Sequence, residues 1–178
     1  MSVSRVISGL EAVVGREHEP VVGLLAEGLA RVEQRFESQL RSDLPPVRDL
    51  VEHVERYRGK MLRPVIVLLT GLAQKGPGAT ADDLTDPHVV VGAVVEMIHV
   101  ATLDHDDVLD EAETRRRAQT VNNLRGNEVA VILGDYLISS AFHLCSTLDA
   151  QTTALLIGGV TTRLCEGELL QLHHRDDF

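Results

Sequence analysis

Apolar residues at Val22, Leu25, Leu29, Val32, Phe36 and Leu40 step by three and four, which predicts a helical stripe. Pro20 suits the first turn of that helix, and residues 1–19 ahead of it read as a loose or weakly helical arm. Pro45-Pro46 closes the region, and a short helix is expected from Val47 to Tyr57. Arg58 to Pro64 reads as a turn into the next helix, with Pro64 at a first-turn position. Leu62, Val65, Ile66, Leu69 and Leu72 continue its stripe. Lys75-Gly76-Pro77-Gly78 opens a polar loop that runs to about Pro87. Val89 to Leu103 is apolar on nearly all sides. Its valines suit a strand, but strands usually run about 4–8 residues, so a central buried helix is predicted. A loop from Asp110 to Thr120 follows, then a long helix from about Leu124 to Leu148 and another from Ala150 to about His174. Strand alternation and internal repeats are both missing from the pattern. The expectation is one all-α domain over residues 1–178, a bundle of antiparallel helices.

Composition narrows the function more than the fold. The 178 residues are 44% hydrophobic and 25% charged, ordinary for a soluble globular chain. Aromatics make up only 3%, and the formal net charge is −10. Both argue against nucleic acid, which needs stacking platforms and a basic footprint. Cys145 and Cys165 lie in apolar helical stretches without C-x-x-C spacing, so buried free thiols of a cytoplasmic protein are expected. The N-terminus has no long apolar core and does not read as a secretory signal. The apolar tract His88 to Leu103, broken by Glu96 and His99, reads as too short and too polar to span a bilayer.

The chemistry concentrates between Glu96 and Asn122, EMIHVATLDHDDVLDEAETRRRAQTVN. Asp106, Asp107 and Asp110 spell D-D-x-x-D, beside Asp104, His99 and His105 and ahead of Arg115, Arg116 and Arg117. On a helix Asp106 and Asp110 form an i,i+4 pair whose carboxylates stack on one face, and His99 and Leu103 share the stripe. Stacked carboxylates repel, so the arrangement implies a cation. Hard oxygen donors select Mg²⁺ or Ca²⁺. Mg²⁺ takes one or two protein carboxylates and lets substrate phosphates complete its shell. The arginines then serve as forks for the remaining phosphate oxygens. The residues read as a site for a Mg²⁺–diphosphate complex. The alternative is a solvated acidic helix end followed by a basic turn, which would oppose the helix macrodipole.

Six blocks settle the comparison: Gly59-Lys60-Met61-Leu62-Arg63-Pro64, Glu96-Met97-Ile98-His99, His105 to Asp110, Arg115-Arg116, Gly134-Asp135-Tyr136 and Glu166-Gly167-Glu168. In order and spacing they resemble the trans-prenyltransferases, the polyprenyl diphosphate synthases. The resemblance implies the helical bundle of the isoprenoid synthases, truncated here to about half, because a second aspartate-rich motif normally follows. It implies that Asp106 and Asp110 ligate Mg²⁺ with Asp107 in support. Lys60, Arg63, His99 and Arg116 would hold isopentenyl diphosphate, and Arg115 the allylic prenyl diphosphate. Met61 stands where the family often has another Arg, and Arg117 and Gln119 stand where it usually has Gly and Pro. Product length is set in the family just before the first Asp. Ala101 and Thr102 are small there, which implies an open tunnel and a long product. Val94, Val95 and Ile98 read equally well as tunnel or as core. Glu166, Glu168 and Gln171 would face the cavity opposite the first motif, or pack against the other half of the fold.

Two rival readings fit the same residues. His105-Asp106 is also the doublet of a metal phosphohydrolase, although His53, His88, His143, His173 and His174 do not complete a ligand set by spacing. A half-length chain can also be a non-catalytic or half-site subunit that works as a homodimer or with a partner subunit, its last helices exposing apolar faces.

Overall fold

The computed structural model describes residues 6–9, 19–57 and 59–174. Residues 6–9 are helical, whereas most of the expected N-terminal arm, Arg58 in the expected turn, and residues 175–178 lie outside the described residues. The main helices are α1 (Glu19–Leu40), α2 (Pro45–Tyr57), α3 (Leu62–Lys75), α4 (Asp86–Leu109), the short α5 (Val121–Arg125), α6 (Asn127–Cys145) and α7 (Gln151–His173). The all-α expectation holds.

Helix α4 is the axis of the bundle. It packs most extensively on α6, then on α3 and α1. Val90, Ala93, Val94, Met97 and Ala101 of α4 are buried against Leu29, Val32 and Phe36 of α1, Leu68 of α3, and Leu137 and Ala141 of α6. The apolar tract is longer as a helix than as a run of letters. Helices α4 and α6 are both long and apolar enough to cross a membrane by length and composition, but 56% and 44% of their most apolar windows are buried by other helices. Buried Glu96, Asp104 and Asp107 mark α4 as a core helix with chemistry on it.

The structure changes several boundaries. Pro45 and Pro46 open α2 rather than ending the preceding helix, which stops at Leu40. Proline lacks only an N–H that a first turn leaves unpaired anyway. The expected single helix from Leu124 to Leu148 is two, α5 and α6, divided at Gly126 with φ +88°. Only glycine takes that conformation without a steric penalty. The expected loop after Asp110 contains a two-residue antiparallel ladder, Thr114–Arg115 with Ala118–Gln119. Two residues are too few for alternation to show in sequence. Cys145 is buried as expected, and burial pushes its thiol pKa up, but Cys165 is exposed because α7 buries only Ile157.

Candidate active site

The four aspartates at the C-terminal end of α4, Asp104, Asp106, Asp107 and the capping Asp110, divide between two directions. Asp104 and Asp107, three apart, point inward and are 1% exposed. Asp106 and Asp110, four apart, border a recess of about 460 Å³ shared with Glu168, Gln171 and His174 on and just beyond α7. The acidic face is self-repelling. Burial, then Glu168 and Asp110, raise the Asp106 carboxyl above its ordinary range, with Arg115 opposing them. Carboxylates gathered this closely around Asp106 are suited to a hard cation. Among the described residues, no three His, Cys, Asp or Glu side chains form a ready-made metal cage.

Asp107 has a different task. Its carboxylate accepts from Arg115 at Nε, 2.8 and 3.0 Å, and at Nη2, 2.6 Å. This bidentate pair ties the hairpin to the helix and leaves the Arg115 side chain 25% exposed. The loop is bound again behind the arginines. Asn122 Nδ2 donates to the Asp107 and Ala112 carbonyls at 3.1 Å each, and Thr120 Oγ1 donates to Ala112 O at 2.6 Å. Thr120 and Asn122 escaped sequence reasoning because polar residues after a charged loop read as ordinary turn surface.

Arg116 and Arg117 occupy the hairpin turn with φ of +50° and +70°. Two positive φ values in a two-residue loop are type I′ geometry, normally filled by Asn and Gly. The Arg116 guanidinium lies against Gly59, where a Cβ would sit 2.6 Å from Arg116 Nη1. The turn containing Lys60 therefore meets the arginine hairpin where the Arg116 guanidinium lies on Gly59. Lys60 is exposed beside it. Met61, φ +48° and 1% exposed, is part of the core, so an apolar residue suits the position that the family often gives to arginine.

Arg63 at the start of α3 and His99 on α4 share the mouth of a second cavity. Burial, then Arg63, Arg116 and Arg115, depress the His99 pKa to about 4, so its imidazole is neutral at physiological pH. The same shift places His99 within the field of all three arginines. Behind it lies an apolar cavity of about 470 Å³ between α3, α4 and α7, lined by Ile66, Val95, Ile98, Thr102, Val160 and Leu164 among others. Thr102 and Thr161 hydroxyls donate to their own helix, at His99 O and Ile157 O, both 2.9 Å, which leaves the wall effectively apolar. Of the two small residues expected to set product length, Thr102 lines this cavity, whereas Ala101 is buried in the core. Val95 and Ile98 line it and Val94 does not.

His105 turns to α6, away from the recess bordered by Asp106. Its Nε2 lies 3.2 Å from Val131 O and 3.5 Å from the Asp135 carboxylate, and its ring fills the space a side chain at Gly134 would need. Tyr136 reaches the Leu40 carbonyl at 3.4 Å. Gly134-Asp135-Tyr136 is thus the clamp between α4, α6 and α1. The phosphohydrolase doublet is not supported, because His105 turns to α6 while Asp106 borders the recess beside α7.

The family profile described as polyprenyl synthetase matches residues 45–178. The nonaprenyl diphosphate synthase of Mycobacterium tuberculosis is 42% identical over 129 residues, 72% of this chain and 37% of that protein. The octaprenyl diphosphate synthase of Escherichia coli is 33% identical over 159 residues, 89% of this chain and 47% of that protein. The chain thus spans about half the length, or less, of these relatives. Among solved structures, a decaprenyl diphosphate synthase from Rhodobacter capsulatus superposes with a TM-score of 0.74 at 30% identity, over 97% of this chain and 46% of the other. A polyprenyl synthase from Caulobacter crescentus, complexed with calcium and isoprenyl diphosphate, gives 0.73 at 28% identity over 96% and 45%. By sequence and by fold, the chain belongs to the polyprenyl synthetase family.

Proposed function

We propose that the chain acts in a polyprenyl diphosphate synthase, joining isopentenyl diphosphate to an allylic prenyl diphosphate to build a long-chain product. The observation that carries this reading is the adjacency of three parts. An acidic recess at Asp106 and Asp110, a cluster of Arg63, His99, Arg115 and Arg116, and an apolar cavity behind Thr102 all meet along one side of α4. Diphosphate, metal and hydrocarbon each have a surface of matching chemistry.

Asp106 and Asp110 would hold Mg²⁺, a fit supported by their carboxylate oxygens and the nearby Glu168, with substrate phosphates completing the shell. Bound there, Mg²⁺ supplies the charge neutralisation that lets the allylic C–O bond ionise. Arg115, fixed by Asp107, would contact the allylic diphosphate. Lys60, Arg63 and Arg116 hold the homoallylic diphosphate. Neutral His99 gives that group a hydrogen bond rather than a charge. The double bond of isopentenyl diphosphate attacks the allylic cation, and the proton then lost passes to the departing diphosphate. The cavity beside Val95, Ile98 and Thr102 receives the growing chain and keeps water from it. The names of the relatives, octaprenyl to decaprenyl, support a long product. The exposed apolar residues of α7 support a working form in which that face is covered, by a second copy or a partner subunit.

The test is turnover. The chain is incubated with Mg²⁺, farnesyl diphosphate and labelled isopentenyl diphosphate, and the products are sized. Long product that disappears in an Asp106→Ala, Asp110→Ala variant is the expected result. A folded chain that binds Mg²⁺–diphosphate yet makes no product would assign it a half-site. Failure to bind diphosphate would sink the reading.

A further inference from the structure

Two segments outside the aspartate motif converge on the arginine hairpin. One is α2, whose residue His53 places Nε2 2.7 Å from the carbonyl oxygen of Gln119 on the second strand. A carbonyl can only accept, so His53 carries its proton on Nε2 and donates it. The hairpin explains why an outside donor is needed. Thr120 N–H donates to Glu113 O at 3.1 Å, and Thr114 pairs with Gln119 between that bonded pair and the turn. In an antiparallel ladder bonded and non-bonded pairs alternate, so the polar groups of the Thr114–Gln119 pair point outward. His53 meets the outward carbonyl of Gln119.

Helix α2 is itself anchored by buried Val51 and Val54, and the chain leaves it directly for the turn at Gly59 and Lys60. That turn touches the same hairpin again, through Gly59 and Arg116. One strand end and the turn of the hairpin are thereby pinned to one element.

We propose that His53 is a positioning residue: its hydrogen bond to Gln119 sets the distance between Arg116 and the Lys60–Arg63 cations, and so tunes affinity for the homoallylic diphosphate. The inference rests on the proposed function for its ligand. It also makes a distinction that a general stabilising role does not. Arg115 is held by Asp107, independently of His53, so the allylic diphosphate should be indifferent to the latch.

The experiment uses the full 178-residue chain with His53→Ala, His53→Phe and His53→Gln. Gln keeps an N–H donor at similar reach, whereas Phe keeps only the ring shape. Two quantities are measured: amide hydrogen exchange over residues 113–120, and calorimetric affinity for isopentenyl diphosphate and for farnesyl diphosphate with Mg²⁺. Losing one neutral hydrogen bond predicts faster exchange and about fivefold to tenfold weaker isopentenyl diphosphate binding in the Ala and Phe variants. Farnesyl diphosphate should stay within about twofold, and Gln should restore both readouts. Unchanged hairpin exchange would show that no latch exists. Faster exchange with unchanged or equally weakened affinities would reduce His53 to a structural contact and overturn the proposal. If the unaltered chain binds neither diphosphate, the functional reading itself falls and the ligand role of His53 falls with it.

Discussion

At the scale of single residues, adjacent aspartates in one motif carry opposite stability consequences. Ionised Asp106 is opposed by burial, Glu168 and Asp110, so its folded pKa lies above its unfolded value. For such a group, stability is fully present below the unfolded pKa and is lost as pH rises through the folded one. Asp106→Asn removes that loss and should leave the melting temperature at pH 7 unchanged or higher, while abolishing Mg²⁺-dependent diphosphate binding. Asp107→Asn breaks a bidentate pair whose carboxylate is 2% exposed. It should cost about 2–3 kcal/mol in denaturant titration, less than a fully buried pair because Arg115 keeps some solvent. His99 supplies a pH signature. Its pKa is depressed to about 4, so the unfolded chain takes up its proton near pH 6.5 and the folded chain does not. Stability should therefore fall as pH drops from about 6.5 toward 4, more steeply than in His99→Gln. Parallel slopes in thermal melts of the two proteins would refute this. Arg117 holds φ +70° where the family resemblance expects glycine. Arg117→Gly should stabilise by about 1 kcal/mol, visible as a rise of about 2–4 °C.

At the scale of elements, legibility followed periodicity. Helices α1, α3 and α4 were readable because each presents a long apolar stripe or an apolar run too long for a strand. The division at Gly126 and the hairpin were not readable. One depends on a single left-handed glycine and the other on two-residue strands whose order comes from Asp107, Thr120 and Asn122. The candidate site was visible as motifs, but which side chains pair with one another was not. No spacing rule tells that Asp107 turns to Arg115 while Asp106 turns to α7. The α4–α6 seam gives a direct check on element packing. A methyl at Gly134 enters the His105 ring, so Gly134→Ala should destabilise by about 1–3 kcal/mol, and pairing it with His105→Ala should recover part of that loss. Additive losses would mean that the two residues are not packed on each other.

At the scale of the whole molecule, the fold gathers arginines and carboxylates into neighbouring patches. The net charge is −10, yet Arg63, Arg115 and Arg116 gather around His99 on α4, while Asp106, Asp110 and Glu168 share a recess beside α7. Helix α7 closes the site but is held lightly. Leu155, Leu169 and Leu170 are 68%, 67% and 59% exposed, and only Ile157 is buried along the helix. A molecule built this way should gain more from Mg²⁺ and diphosphate together than from the sum of each alone. Diphosphate alone meets the repelling carboxylates, and Mg²⁺ alone lacks the phosphate oxygens that complete its shell. Binding to the folded state at about 100 times Kd adds about 2.7 kcal/mol, or about 5–11 °C in a chain of this size. The expected result is a large shift in melting temperature with both, small shifts with either, and protection of α7 amides appearing only with both. Equal shifts from diphosphate with or without Mg²⁺ would confine binding to the arginine flank. The carboxylate pair Asp106 and Asp110 would then have no part in holding the ligand.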